Sequence, residues 1–206
     1  MGNPVYLDHA ATTPVRPEVL EAMLPFLGSA AFGNPSSAHR FGRAARAGLE
    51  RARREVAEAV GAEPSQVIFT SGGTEADNLA VVGGAIAARD RGAPMRVVTT
   101  AAEHKAVLAA AHYVVKLGGE EIVLPVDADG IVDQDAFEAA LAAQPAIMSI
   151  MWVNNEVGTI NPIREIGELC HARGVVFFTD ATQAAGKVPV DVEADHVDLL
   201  CLSGHK

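Results

Sequence analysis

From residue 66 onward, apolar and β-branched runs recur along the chain, at 66–70, 96–100, 121–125, 146–153, 175–179 and 197–202. Helical patterns separate most of them, at 75–89, 105–117, 134–143 and 163–173. Several of the runs lack the polar alternation of a half-exposed strand, which suits strands covered on both faces in a mostly parallel sheet. Ahead of residue 66 the pattern differs. A short extended start at 5–7 leads into a helix over 17–27 with Pro17 in its first turn. A loop rich in Gly, Ser, Asn and Pro follows over 28–37, then a long helix over 38–60 built on Ala, Arg, Glu and Leu, with Gly61 as its stop. The predicted fold class is α/β, a mostly parallel sheet flanked by helices.

Composition narrows the chemistry. With 206 residues, 49% hydrophobic and 20% charged, the chain can bury a sizeable core and is not disordered. A formal net charge of −10 argues against a binder of nucleic-acid phosphates. The basic stretch from Arg40 to Arg54 is interleaved with Ala and Glu50 and reads as a solvated helix face. Cys170 and Cys201 each sit inside an apolar run, far apart and without metal-ligand spacing, so neither a disulfide framework nor a metal site is expected. The first four residues lack the regions of a signal peptide, and no apolar stretch is long enough to span a bilayer. A soluble, cytoplasmic protein without membrane or nucleic-acid partners is the expectation.

Ligands of open parallel sheets bind beyond the carboxyl ends of the strands. The run at 66–70 is followed by Ser71-Gly72-Gly73-Thr74-Glu75, that at 96–100 by Glu103-His104, and that at 146–153 by Asn154-Asn155-Glu156. Asp180 and Gln183 follow the run at 175–179, and Ser203-Gly204-His205-Lys206 follows the last. Five strand ends thus deliver polar groups to one edge. Ser71 to Thr74 is an anion site if the helix N-terminus meets a phosphate, or simply a Gly-rich turn. It matches neither the dinucleotide fingerprint nor the P-loop. Asp180 is either a turn carboxylate or a buried anion that keeps a ring nitrogen protonated. His104 is either a helix cap or a ring that stacks on a flat ligand. Lys206 alone is any surface lysine, but beside an apolar strand its amine can become nucleophilic. Taken together, a phosphate cradle, a carboxylate, a stacking ring and an amine are what pyridoxal 5′-phosphate requires.

These residues resemble the cysteine desulfurases of the class V aminotransferase group, over essentially the whole chain. The stretches that carry the resemblance begin with Tyr6-Leu7-Asp8-His9-Ala10-Ala11-Thr12-Thr13-Pro14, Phe32-Gly33-Asn34-Pro35-Ser36-Ser37 and Phe69-Thr70-Ser71-Gly72-Gly73-Thr74-Glu75. They continue with Glu103-His104-Lys105-Ala106-Val107, Asn154-Asn155-Glu156-Val157-Gly158-Thr159, Asp180-Ala181-Thr182-Gln183-Ala184-Ala185-Gly186-Lys187 and the closing Ser203-Gly204-His205-Lys206. The resemblance implies a pyridoxal-phosphate transferase of fold type I, with a large domain over 16–206 and residues 1–15 associated with a small domain. It implies Lys206 as the Schiff-base lysine and proton carrier, with Asp180 paired to the pyridinium nitrogen. Gln183 and Asn155 are placed on the phenolic-oxygen side, and His104 stacks on the ring and assists proton transfer. Gly73, Thr74, Ser203 and His205 hold the phosphate. The implied reaction takes L-cysteine to L-alanine and leaves a persulfide on an enzyme cysteine. Sulfur-acceptor or scaffold proteins for iron–sulfur cluster or thiolation pathways are the implied partners, with a homodimer as the full-length state.

Trp152 and Thr179 depart from the commonest pattern without removing a group the chemistry needs. The persulfide cysteine of the family lies beyond the Schiff-base lysine, so the chain reads as an N-terminal portion, and Cys170 and Cys201 read as core residues. Selenocysteine lyase or another class V activity is the first alternative. A non-catalytic fragment that binds a cofactor or a partner is the second.

Overall fold

The computed structural model describes residues 4–206. Residues 1–3, which belong to the 1–15 segment and to the stretch read for a signal peptide, lie outside the described residues. The chain forms two compact units, one reaching to Ile68 and including His205–Lys206, the other Phe69–Gly204.

In the first unit, α1 (Pro17–Leu27) starts with Pro at a position where the missing N–H costs nothing. It buries none of its residues, and Val19, Leu20, Met23, Leu24 and Leu27 are exposed. The second helix, α2 (Arg40–Ala59), is capped by His39, whose Nδ1 accepts the Gly42 N–H at 3.2 Å. Gly61 ends it as the sequence predicts: its φ of 67° is left-handed, and the Ala62 N–H returns to the Ala57 carbonyl at 2.9 Å. His205 also belongs here. Its carbonyl accepts the Thr13 N–H at 2.9 Å, and its Nδ1 lies 3.1 Å from the Thr12 hydroxyl.

One expected strand is absent. The run at 66–70 begins on a 3₁₀ turn (Pro64–Gln66), and 67–70 form no β-ladder among the described residues. Ile68 is 70% exposed. An apolar run becomes a strand only where a neighbour takes up its N–H and C=O groups, and the hydrophobic pattern does not report that neighbour.

The second unit holds α3 (Gly73–Asp90), β1 (Arg96–Thr100), α4 (Lys105–Lys116), β2 (Glu120–Leu124), α5 (Gln134–Ala142), β3 (Ile147–Ser149), α6 (Ile163–Arg173), β4 (Val176–Asp180) and β5 (Leu199–Cys201). The five strands are all parallel, in the order β2-β1-β3-β4-β5. Strand order therefore reverses between β1 and β3. Alternation along each strand sends neighbouring apolar residues to opposite faces. Val97, Ile147 and Phe178 pack with Val81 of α3 and Val107 of α4, while Val98, Met148 and Phe177 pack with Phe137 of α5 and Ile166 of α6. Both faces are covered, which is why the central runs read as continuous apolar segments. Gly167 lets α6 sit tightly, since a Cβ there would overlap the Asp195 carbonyl oxygen. Among the described residues no helix is long and apolar enough to cross a membrane.

Candidate active site

Because the strands are parallel, the carboxyl ends of β1, β3, β4 and β5 share one edge. The residues that follow them, with the start of α3, form the candidate site of the second unit. At β4, alternation that turns Phe178 toward α3 turns Asp180 the same way. Asp180 is 6% exposed, and its Oδ1 accepts the Thr182 N–H at 2.9 Å. Three residues on, Gln183 is buried, and its Oε1 accepts from the Lys187 ammonium at 2.5 Å. That bond engages the ammonium of Lys187, which follows Gly186.

The first turn of α3 has no side-chain cap at Gly72, so its N–H groups keep no intrahelical partner. Ser71 is already committed: its N–H (2.5 Å) and hydroxyl (2.6 Å) both donate to Glu75 Oε2. Those two bonds, the hydroxyl's first, hold the Glu75 carboxyl below its ordinary range. The donors that remain for an anion are around Gly72, Gly73 and the exposed Thr74. A Cβ on Gly72 would meet nothing within 4 Å, so that approach is open. Ser203, past β5, is half-buried at the same edge.

After β1, His104 caps α4, its Nδ1 accepting the Ala106 N–H at 3.2 Å. That bond places the proton of the neutral ring on Nε2. The cap and the stacking role are therefore compatible, since capping uses one edge nitrogen and leaves the ring face. After β3, the two asparagines divide their work. Asn154 is buried and structural: its Nδ2 donates to the Ala102 carbonyl at 2.8 Å, and its Oδ1 accepts the Glu156 and Val157 N–H groups at 2.8 and 3.0 Å. Asn155 is half-buried and donates to Glu156 Oε1 at 2.7 Å. His205 and Lys206 belong to the first unit and follow Ser203-Gly204 in the chain.

Two acids that sequence reasoning left without a role stand at the centre of this edge. Glu103 is 7% exposed and spans the reversal of strand order, its Oε1 accepting the Met151 N–H at 2.7 Å and the Thr100 hydroxyl at 3.1 Å. Burial pushes its carboxyl up to about 8, with the charges of Asp180 and Asp77 adding and the Met151 and Thr100 bonds partly offsetting. Asp77, on the second turn of α3, reaches the ends of β4 and β5. Its signal was an acid inside the apolar face formed by Ala76, Ala80 and Val81, but only the packing shows which acids are buried.

Both cysteines are buried. Burial, with the Asp198 charge, pushes the Cys170 thiol up to about 12. Cys201 is raised as well, by burial first and then by Asp77 and Asp180. Neither is a nucleophile at neutral pH. A thiol-reactive dye should therefore label the native chain at neither position and label both after unfolding; rapid native labelling would contradict this placement.

The architecture is that of the fold-type-I pyridoxal-phosphate enzymes. The chain belongs to the class-V aminotransferase family, which matches residues 5–206 and whose members work with pyridoxal phosphate. In sequence it is 48% identical over 206 residues to cysteine desulfurase IscS of Dictyoglomus turgidum, covering 100% of this chain and 52% of that protein. Among solved structures, a NifS-like protein superposes with a TM-score of 0.91 at 36% identity, over 98% of this chain and 55% of its own. SspA in complex with cysteine gives 0.87 at 36% identity, over 97% and 57%. The chain spans about half the length of the curated relatives it matches. Its residues fit the cofactor: open N–H and hydroxyl donors suit a phosphate, and a desolvated carboxylate suits a cationic ring nitrogen.

Proposed function

We propose that this chain carries the cofactor site of a cysteine desulfurase, which converts L-cysteine to L-alanine and passes the sulfur to a thiol as a persulfide. The observation that carries the reading is Asp180, a carboxylate almost out of solvent at the sheet edge where the first turn of α3 is left uncapped. Pyridoxal phosphate supplies the electron sink for bonds broken at the substrate's α-carbon. Asp180 holds the ring nitrogen protonated, and Gly73, Thr74, Ser203 and His205 hold the phosphate. Gln183 and Asn155 address the phenolic oxygen. His104 would stack on the ring and assist proton movement, and Lys206 would anchor the cofactor through its amine and carry the proton at the substrate's α-carbon. The 48% identity to a desulfurase over the full chain supports the substrate assignment.

The reading extends to residues 1–15 as small-domain sequence and to 16–206 as the large domain. It also includes a homodimer, supported by the exposed apolar side chains of α1. Iron–sulfur cluster or thiolation pathways would receive the sulfur through acceptor or scaffold proteins. A cytoplasmic setting is supported by two unpaired thiols. Because both thiols are buried and held protonated, the sulfur acceptor is a thiol other than these two.

Reconstitution with pyridoxal phosphate should give a visible absorption band that L-cysteine perturbs, while sulfide release from the 206-residue chain stays near that of free cofactor. A band indifferent to cysteine, or alanine formed only from selenocysteine, would overturn the substrate assignment. Robust sulfide release would contradict the placement of the acceptor.

A further inference from the structure

Asp77, Asp180 and Cys201 each bring one side-chain atom within 4.8 Å of the others, and all three residues are buried. Asp77 is 2% exposed, and its Oδ1 has no hydrogen-bond partner. An ionised carboxylate in that position would leave a charged oxygen unsolvated beside a second carboxylate, the arrangement in which two acids cannot both ionise. The titratable groups that face it are Asp180 at the end of β4, Cys201 in β5 and, coupled through charge, Glu103 after β1. None of these is a cation. A neutral acid at Asp77 removes the conflict and leaves the charge of the pair on Asp180.

We propose that Asp77 is a positioning residue for Asp180: a carboxylic acid kept neutral by the fold, so that Asp180 is the member of the pair that presents a negative charge to the cofactor ring. This rests on the assignment of Asp180 to the ring nitrogen given above. Burial first, and the Asp180 charge second, push the Asp77 carboxyl up to about 7, with the Cys201 thiol pulling partly back. Ionisation of Asp77 would then place a second negative charge behind Asp180 and favour the protonated ring more strongly. The protonation state of Asp77 thereby sets how firmly Asp180 holds that proton.

The test begins on the 206-residue chain without cofactor, labelled with carbon-13 at the aspartate carboxyls. One carboxyl should titrate near pH 7, vanish in Asp77→Asn, and move its midpoint down in Asp180→Asn. A midpoint in the ordinary carboxylate range, or one unmoved by Asp180→Asn, would overturn the proposal. If Asp77→Asn fails to fold, Asp77→Ser provides the same assignment. With pyridoxal phosphate bound, the pH profile of the visible band should carry an inflection at the Asp77 midpoint that Asp77→Asn lacks. Identical profiles would overturn the coupling, because loss of a merely structural contact would not remove an inflection. Failure of the underlying assignment looks different: the cofactor band would then be indifferent to Asp180→Asn while the titration without cofactor kept its shape.

Discussion

Replacing Asp180 with alanine should weaken the reconstituted protein's hold on pyridoxal phosphate by about 3–5 kcal/mol, the usual cost of removing one partner of a buried charge pair. That is roughly two to four orders of magnitude in an equilibrium constant. The size follows from position. Asp180 is nearly solvent-free, one oxygen is fixed by the Thr182 N–H, and Asp77 shares its wall. Water therefore cannot take over the role of the missing charge cheaply. Asp180→Asn keeps the shape and an acceptor for Thr182, so a comparable loss in that variant isolates the charge itself. Equilibrium dialysis of cofactor against the three proteins reads the effect. Binding within about threefold of the unaltered chain in both variants, a difference well under 1 kcal/mol, would show that Asp180 does not face the ring.

The second large effect concerns pH and Glu103. Its carboxyl sits at about 8 in the fold against an ordinary 4.5. Below the ordinary value the folded and unfolded chains both carry the proton, and the fold keeps its full stability. As pH rises from there toward about 8, the unfolded chain gives up the proton first and stability falls; above about 8 the loss is complete. The total is on the order of several kcal/mol. Asp77 adds a fall of the same sign between 3.8 and about 7. Glu103→Gln removes the larger contribution, because Gln Oε1 can still accept from Met151 and Thr100. At low pH the variant should be the less stable protein, since its buried amide N–H₂ replaces an oxygen that lacks a partner. Above about pH 8 it should be the more stable one, with denaturation curves that cross between. Denaturant midpoints measured across this range check it. Parallel curves would mean that Glu103 is ionised in the fold.

The sheet was legible because strands covered on both faces leave continuous apolar runs, and Val97-Val98, Ile147-Met148 and Phe177-Phe178 each supply one residue to either face. Helix α2 and its Gly61 stop were legible from composition and a left-handed glycine. The failure at 66–70 has a physical origin: Val67 to Thr70 have strand-forming side chains, but a strand exists only by pairing, and pairing is not written in local sequence. Of the five expected strand ends, those after β1, β3, β4 and β5 were legible from order along the chain, because a parallel sheet carries its carboxyl ends to one edge. Ser71 to Thr74 follow a run that is no strand, and His205 and Lys206 fall in the first unit. What stayed hidden was depth. Glu103 and Asp77 look like the loop and helix-surface acids found in any α/β protein, and only the packed structure shows each with a buried oxygen lacking a partner. The split between Asn154 and Asn155 was equally invisible, since either amide could have turned inward to bond Ala102.

The central claim is that the chain holds pyridoxal phosphate through its last lysine. Borohydride reduction of the reconstituted chain, followed by peptide mapping, tests it most directly. The account predicts one cofactor per chain fixed on Lys206 and none on Lys187, whose ammonium is engaged by Gln183. Cofactor fixed on Lys187 or Lys105 with Lys206 unmodified would contradict it.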